Sequence, residues 1–187
     1  MAQPNHITIS SSIAKEYHDL IRAYITIAAS LANTELSGCE VHVKLSSRPA
    51  HGISGSSSCM TGAAYFWYTK DRKPGGYPTP GKGIVKIKPG MRFLVTLKLT
   101  RDFAYGIYPY TWHYARYKTA PPITYHDWTE EFLHLTVHEF RHIHQYVFGL
   151  PRSEIDCEQF AHSALYRARA ILSDTCCYTA VSKRVTH

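Results

Sequence analysis

His138-Glu139-Phe140-Arg141-His142 lies inside the stretch DWTEEFLHLTVHEFRHIHQYVF, residues 127–148. On a helix, positions four apart sit one above the other, so His138 and His142 point the same way and can share one metal ion. Two neutral imidazoles a turn apart suit Zn²⁺, and Glu139, beside the first, is placed to take a proton from a water at that ion. The pattern specifies three residues in a chain that holds 12 His among 187 residues, so its meaning depends on its surroundings.

Those surroundings read as a helix. Asp127 is an N-cap candidate with Glu130 three residues on, an arrangement close to a capping box. Glu130 and Glu131 complement the positive end of the helix dipole. Phe132, Leu133, Thr136, Phe140, Ile143 and Val147 provide a broad apolar surface, and Gly149 followed by Pro151 marks the end. The two histidines and Glu139 therefore fall in mid-helix.

Catalytic zinc takes three protein ligands and leaves a fourth position to water. Downstream, Ser153 is an N-cap candidate for a second helix that runs through Leu165 towards Ile171. Along it Glu154, Glu158, Ala161 and Leu165 form one stripe at helical spacing, with Asp156 on the opposite side. The short link through Gly149 and Pro151 makes the two helices neighbours. Glu154 is the first candidate for third ligand. Glu158, one turn on, can accept the other N–H of a ligating histidine. His162, on nearly the same face, is the reserve.

His138-Glu139-Phe140-Arg141-His142, then Glu154-Ile155-Asp156-Cys157-Glu158-Gln159-Phe160-Ala161, resembles a known pattern: HExxH followed by ExxA, then Asp, Glu or Asn, then xFA. It is that of the small gluzincin-type zinc metallopeptidases, the minigluzincins and their phage-type relatives. The resemblance covers residues 127–165. It implies a zincin-like fold, Glu154 as third ligand, and an edge strand beside the motif helix that holds an extended substrate by main-chain hydrogen bonds. The chain departs from the pattern at Cys157, where Ala is usual, and at Glu158, where Asp or Asn is commoner.

A chain of this length holds one well-buried core, and residues 1–187 read as a single domain with loose ends at 1–10 and 175–187. Hydrophobic content of 44%, with 13% aromatics, excludes a disordered class. No run of eighteen apolar residues is present, so a membrane span is not expected. The N-terminus lacks the pattern of a secretory signal, and the five cysteines (Cys39, Cys59, Cys157, Cys176, Cys177) form no C-x-x-C pair. A reduced, cytoplasmic setting is the expectation. Net charge is +7, compatible with nucleic acid, an acidic partner or solubility alone. Oligomeric state is left open.

Ile13, Tyr17, Leu20, Tyr24, Ala28 and Leu31 recur at helical spacing and predict a first helix from Ser12 to near Asn33. Strands are expected at Glu40–Ser46, Ala63–Thr69, Ile84–Lys88 and Arg92–Leu99, the last burying Phe93, Val95, Leu97 and Leu99. Residues 47–62 and 71–83, rich in Ser, Gly and Pro, read as loops. The aromatic segment 101–125 covers or flanks the cleft. The expected architecture is α+β: an N-terminal helix, a small, mostly antiparallel sheet, the motif helix and the ligand helix.

Each sharp reading has a plain rival. His138 and His142 alone would be ordinary helical histidines, and it is Glu139, the cap and the downstream glutamate that favour a metal. His134 and His144 read as ordinary polar positions, and Arg141 and Gln145 as solvated or rim residues. Tyr108, Tyr110 and Tyr114 are candidates to donate a hydroxyl to an oxyanion, against the plainer role of wall packing. Cys157 reads as a small buried residue. The function expected is zinc-dependent endopeptidase-type hydrolysis of a peptide or protein substrate, with Glu139 as general base. The alternative is a non-catalytic or DNA-recruited binding protein of the same fold, using the basic stretch Lys70–Lys82.

Overall fold

The computed structural model describes residues 3–46, 60–67, 74–75, 92–105, 108–113 and 121–182. The expected strand Ile84–Lys88, Tyr114, nearly all of Lys70–Lys82 and the residues after Ser182 lie outside them.

A five-stranded sheet runs in the order β1(His6–Ile9), β2(Cys39–Leu45), β5(Phe93–Leu99), β3(Met60–Trp67), β4(Pro74–Gly75). β1 pairs with β2, and β2 with β5, in parallel, whereas β3 pairs antiparallel with β5 and with β4. The sheet is thus mixed rather than mostly antiparallel. The helix α1(His18–Ala32) returns the chain between β1 and β2, and a crossover of that kind makes its two strands parallel. Alternation along a strand reports which face is buried and carries no information about direction. The expected loose lead-in is correspondingly a strand, anchored by main-chain pairing from His6 with Glu40 to Ile9 with Val43.

One face of the sheet carries Cys39, Val41 and Val43 from β2 and Phe93, Val95, Leu97 and Leu99 from β5, all buried in a single core with the helices. On α1 the buried stripe is Ile21, Ile25, Ala28, Ala29 and Ala32. That face is turned by one position from the expected one: Leu20 is 41% exposed and Ile21 fully buried. A 3₁₀ turn at Lys15–Tyr17 precedes α1, so the helical phase starts later than the hydrophobic pattern from Ile13 implies.

The helix α2(Trp128–Val147) contacts α1, β3, β5, the strand β7(Ile123–Tyr125), which pairs with β6(Tyr110–Trp112), and the last helix α3(Glu154–Ser182). Asp127 caps it, accepting from the N–H groups of Thr129 and Glu130 at 2.8 and 3.1 Å. Glu130 accepts from His126 N–H, one residue before the cap, and also from Arg169 of α3. At the other end Gly149 has φ of +62°, with Gly149 N–H donating to Tyr146 C=O and Leu150 N–H to Gln145 C=O. This is the Schellman closure, and it turns the chain straight back into α3. α3 continues to Ser182, past the expected end near Ile171, although Asp174–Ser182 has no apolar period. No helix among the described residues is long and apolar enough to cross a membrane.

Asp127→Ala removes both capping acceptor bonds from the helix that touches most of the fold. It is expected to lower stability by about 1 kcal/mol, and Asp127→Ser by much less. Denaturant midpoints for the two variants check this; equal midpoints for Asp127→Ala and the parent chain would show that the cap contributes nothing.

Candidate metal centre

α2 and α3 face each other with two ladders of side chains, each stepping by four residues. α2 presents His134, His138 and His142, and α3 presents Glu154, Glu158 and His162. The helices are joined by a tight turn and run in opposite directions, so His142 meets Glu154, His138 lies between Glu154 and Glu158, and His134 meets Glu158. His134, His138, His142, Glu158 and His162 are all buried.

One oxygen, Glu154 Oε2, lies 3.2 Å from Nε2 of His138 and 3.2 Å from Nε2 of His142. Ligand bonds of about 2.0–2.2 Å at a tetrahedral zinc put neighbouring donor atoms roughly 3.3–3.5 Å apart, so these three atoms are already spaced as the corners of such a site. On its far edge His138 donates from Nδ1 to Glu158 Oε2 at 3.1 Å, the carboxylate–histidine contact that orients a ligating ring. Cys157 offers a rival donor, since atoms of His138, His142 and Cys157 also come within 4.8 Å of one another. Its Sγ, however, sits against Nδ1 of His142, the edge of the ring turned away from Glu154. Glu154 is the better third donor.

Burial alone would depress the His138 ring, but its hydrogen bonds to Glu154 and Glu158 outweigh that and raise it to about 10. The same bonds from His138 and His142 hold the Glu154 carboxyl well below its ordinary range. Glu158 is also held low: burial opposes ionisation, and the hydrogen bond from His138 with the histidines beside it overrides that. Glu139 differs. It is buried without such bonds, so desolvation raises it above the ordinary carboxyl range despite the two nearby histidines.

Glu139 has a second neighbour that the sequence reading assigned to a loop. Gly62 sits in β3 opposite Leu97, on the core face of the sheet, and a Cβ there would lie 2.5 Å from Glu139 Oε1. The main chain of β3 therefore runs directly against the carboxylate. A lone Gly within a β-prone run is the signal for such an approach.

Other expectations need correction. Gln145 is buried rather than solvated, and it fastens the turn: Nε2 donates to Ser153 C=O and to Asp156, while Oε1 accepts from Ser153 N–H and from Nδ1 of His142. Arg141 pairs with Asp156 through two hydrogen bonds and lies over the Phe160 ring. Arg141 is a half-buried rim residue, as expected, while the burial of Gln145 follows from what the next helix brings opposite, which helical position alone does not show. His134 is buried against Tyr125 and His162 instead of being an ordinary polar position. Tyr108 donates to Glu131 and stacks near Tyr110, which packs on Tyr125. These two tyrosines belong to the wall beside the His134 end of α2. Comparison with protein-family models, curated proteins and solved structures finds no match for this chain.

His138 is held protonated between two carboxylates, so a metal ion binding at Nε2 would have to displace that proton. The stabilisation of the metal-free chain by this raised pKa is full below the ordinary imidazole value of 6.5 and is lost as pH climbs through about 10. Zinc affinity is accordingly expected to rise with pH over that window, with about one proton released from His138 per ion. Calorimetric titration in two buffers of different ionisation enthalpy reads the proton directly; heats independent of buffer would contradict it.

Proposed function

We propose that this protein is a zinc-dependent metallopeptidase of the endopeptidase type. The observation that carries the reading is the single Glu154 oxygen placed 3.2 Å from Nε2 of both His138 and His142, with Glu139 buried beside the pair. His138, His142 and Glu154 would hold the ion, and Glu158 would fix the orientation of the His138 ring. Zinc bound there supplies Lewis acidity, polarising a peptide carbonyl and making water a nucleophile at neutral pH.

The remaining steps belong to the chain. Glu139 lies in a desolvated position that raises its proton affinity, which suits a group that must accept a proton from water and return it to the leaving amine. Gly62 supplies the space that this carboxylate occupies. The strand that carries Gly62 is a fitting place for an extended peptide: among the described residues β4 pairs with β3 only at Phe66 and Trp67, beyond the part that faces Glu139. A substrate added along that edge would place its carbonyls beside the Glu139 carboxylate through main-chain hydrogen bonds.

Glu139→Gln is expected to keep the full zinc content and lose hydrolysis of a denatured, fluorescently labelled protein by at least about 10²-fold. Gly62→Ala acts on the same carboxylate through its added methyl group and is expected to lower kcat while zinc content stays unchanged. Elemental analysis beside the cleavage assay separates the two quantities, and undiminished cleavage by Glu139→Gln would end the mechanism.

A further inference from the structure

The proposed metal centre would use His138, His142 and Glu154, with Glu158 behind His138, which leaves His134, His162 and the second oxygen of Glu158 without a task. His134, Glu158 and His162 form a second group, one helical turn deeper along the α2–α3 seam. Their donor atoms all lie within 4.8 Å of one another and all three residues are buried. Glu158 Oε1 is 3.3 Å from His162 Nε2 and 3.7 Å from His134 Nε2, again close to the roughly 3.3–3.5 Å separation of donor atoms around a tetrahedral zinc.

These atoms approach without the alignment that a hydrogen bond needs. His134 Nε2, Glu158 Oε1 and both ring nitrogens of His162 are buried with no hydrogen-bond partner. Leaving four polar atoms unsatisfied in one spot opposes folding, because each loses its water without gaining a partner. A group this expensive, with its lone pairs converging, is accounted for by something that binds them together. An apolar or merely packed role for these side chains does not account for it.

We propose that His134, Glu158 and His162 bind a second divalent transition-metal cation, Zn²⁺ in the first instance, buried between α2 and α3. Two imidazoles and one carboxylate form a donor set suited to zinc. Its outer contacts are already present. Tyr125 Oη lies 3.0 Å from Nδ1 of His134, the contact that fixes a ligand ring with its Nε2 directed to the metal. Glu158 serves both centres at once: Oε2 accepts from the ring of His138 and Oε1 faces His134 and His162. The second cation ties α2 to α3 and holds the glutamate that orients a ligand of the first. It requires neither hydrolysis nor Glu154, so it stands independently of the proposed peptidase activity.

The test is zinc content after loading and dialysis, for the parent chain, His142→Ala and His162→Ala, with far-UV circular dichroism confirming the helices. The expected result is about two zinc ions in the parent chain and about one in each variant. One ion in the parent chain, lost in His142→Ala and kept in His162→Ala, would overturn the second site. One ion kept in His142→Ala and lost in His162→Ala would uphold it and remove the proposed catalytic centre instead. Should His162→Ala unfold, Co²⁺ titration of His142→Ala reads the second site alone. Visible absorption of tetrahedral cobalt, abolished by adding His134→Gln, supports the site, and a folded His142→Ala chain without such bands overturns it.

Discussion

His138 is held by carboxylates on both edges of its ring, Glu154 at Nε2 and Glu158 at Nδ1, and that contact joins α3 to α2 at the centre of the candidate site. Three ionisable side chains in a buried place would ordinarily oppose folding, because desolvation of charge outweighs attraction unless every lone pair is met. Here one imidazole answers two carboxylates and Glu154 also meets His142, while Glu158 Oε1 faces His162 without an aligned hydrogen bond. The seam is a continuous alternation of imidazole and carboxylate. Removing one member of such a set leaves its partners buried and uncompensated, which costs about 3–5 kcal/mol in buried pairs generally. A metal ion relieves the same problem by taking the lone pairs itself.

The alternation works only in one register of the two helices, and contacts at the turn hold it. Gln145 holds both polar groups of the Ser153 backbone and the side chain of Asp156, while Ser153 Oγ accepts from the N–H of Asp156 at the start of α3. Arg141 grips Asp156 from the preceding turn of α2. Asp156 bonds to Arg141 and Gln145 rather than to His138 or His142, and is nevertheless part of the device that places Glu154. At the far end Arg169 bridges α3 to Glu130 and to the Thr124 carbonyl, so the register is tied at both ends of the seam.

The sequence carried the site further than it carried the fold. Four-residue spacing is a property of one helix, so the stacking of His138 with His142 and of Glu154 with Glu158 could be read directly, as could the cap at Asp127 and the stop at Gly149. What the spacing could not show was the partner of each residue across an interface. His134 looked ordinary until α3 brought Glu158 and His162 opposite it, and Gln145 looked solvated until the turn folded over it. The parallel pairing of β1 and β2 was hidden for the same reason, since it follows from the path of α1 and not from any pattern within the strands. α1 itself shows how a local irregularity defeats a periodicity argument: the 3₁₀ turn at Lys15–Tyr17 shifts the buried stripe to Ile21 and Ile25.

Gly62 joins the two halves of the molecule. Alternation along β3 puts Met60, Gly62 and Ala64 on the core face, opposite Leu99, Leu97 and Val95. A large residue at the middle position would fill the space taken by the Glu139 side chain, so α2 could not keep its seat on the sheet with that carboxylate in place. Glycine weakens a strand by roughly 0.5–1 kcal/mol relative to alanine. That cost is borne at the one point where the sheet, the motif helix and the candidate general base meet. The three-residue motif is read on one helix, but it is an otherwise unfavourable glycine in a strand far upstream that gives the carboxylate somewhere to stand.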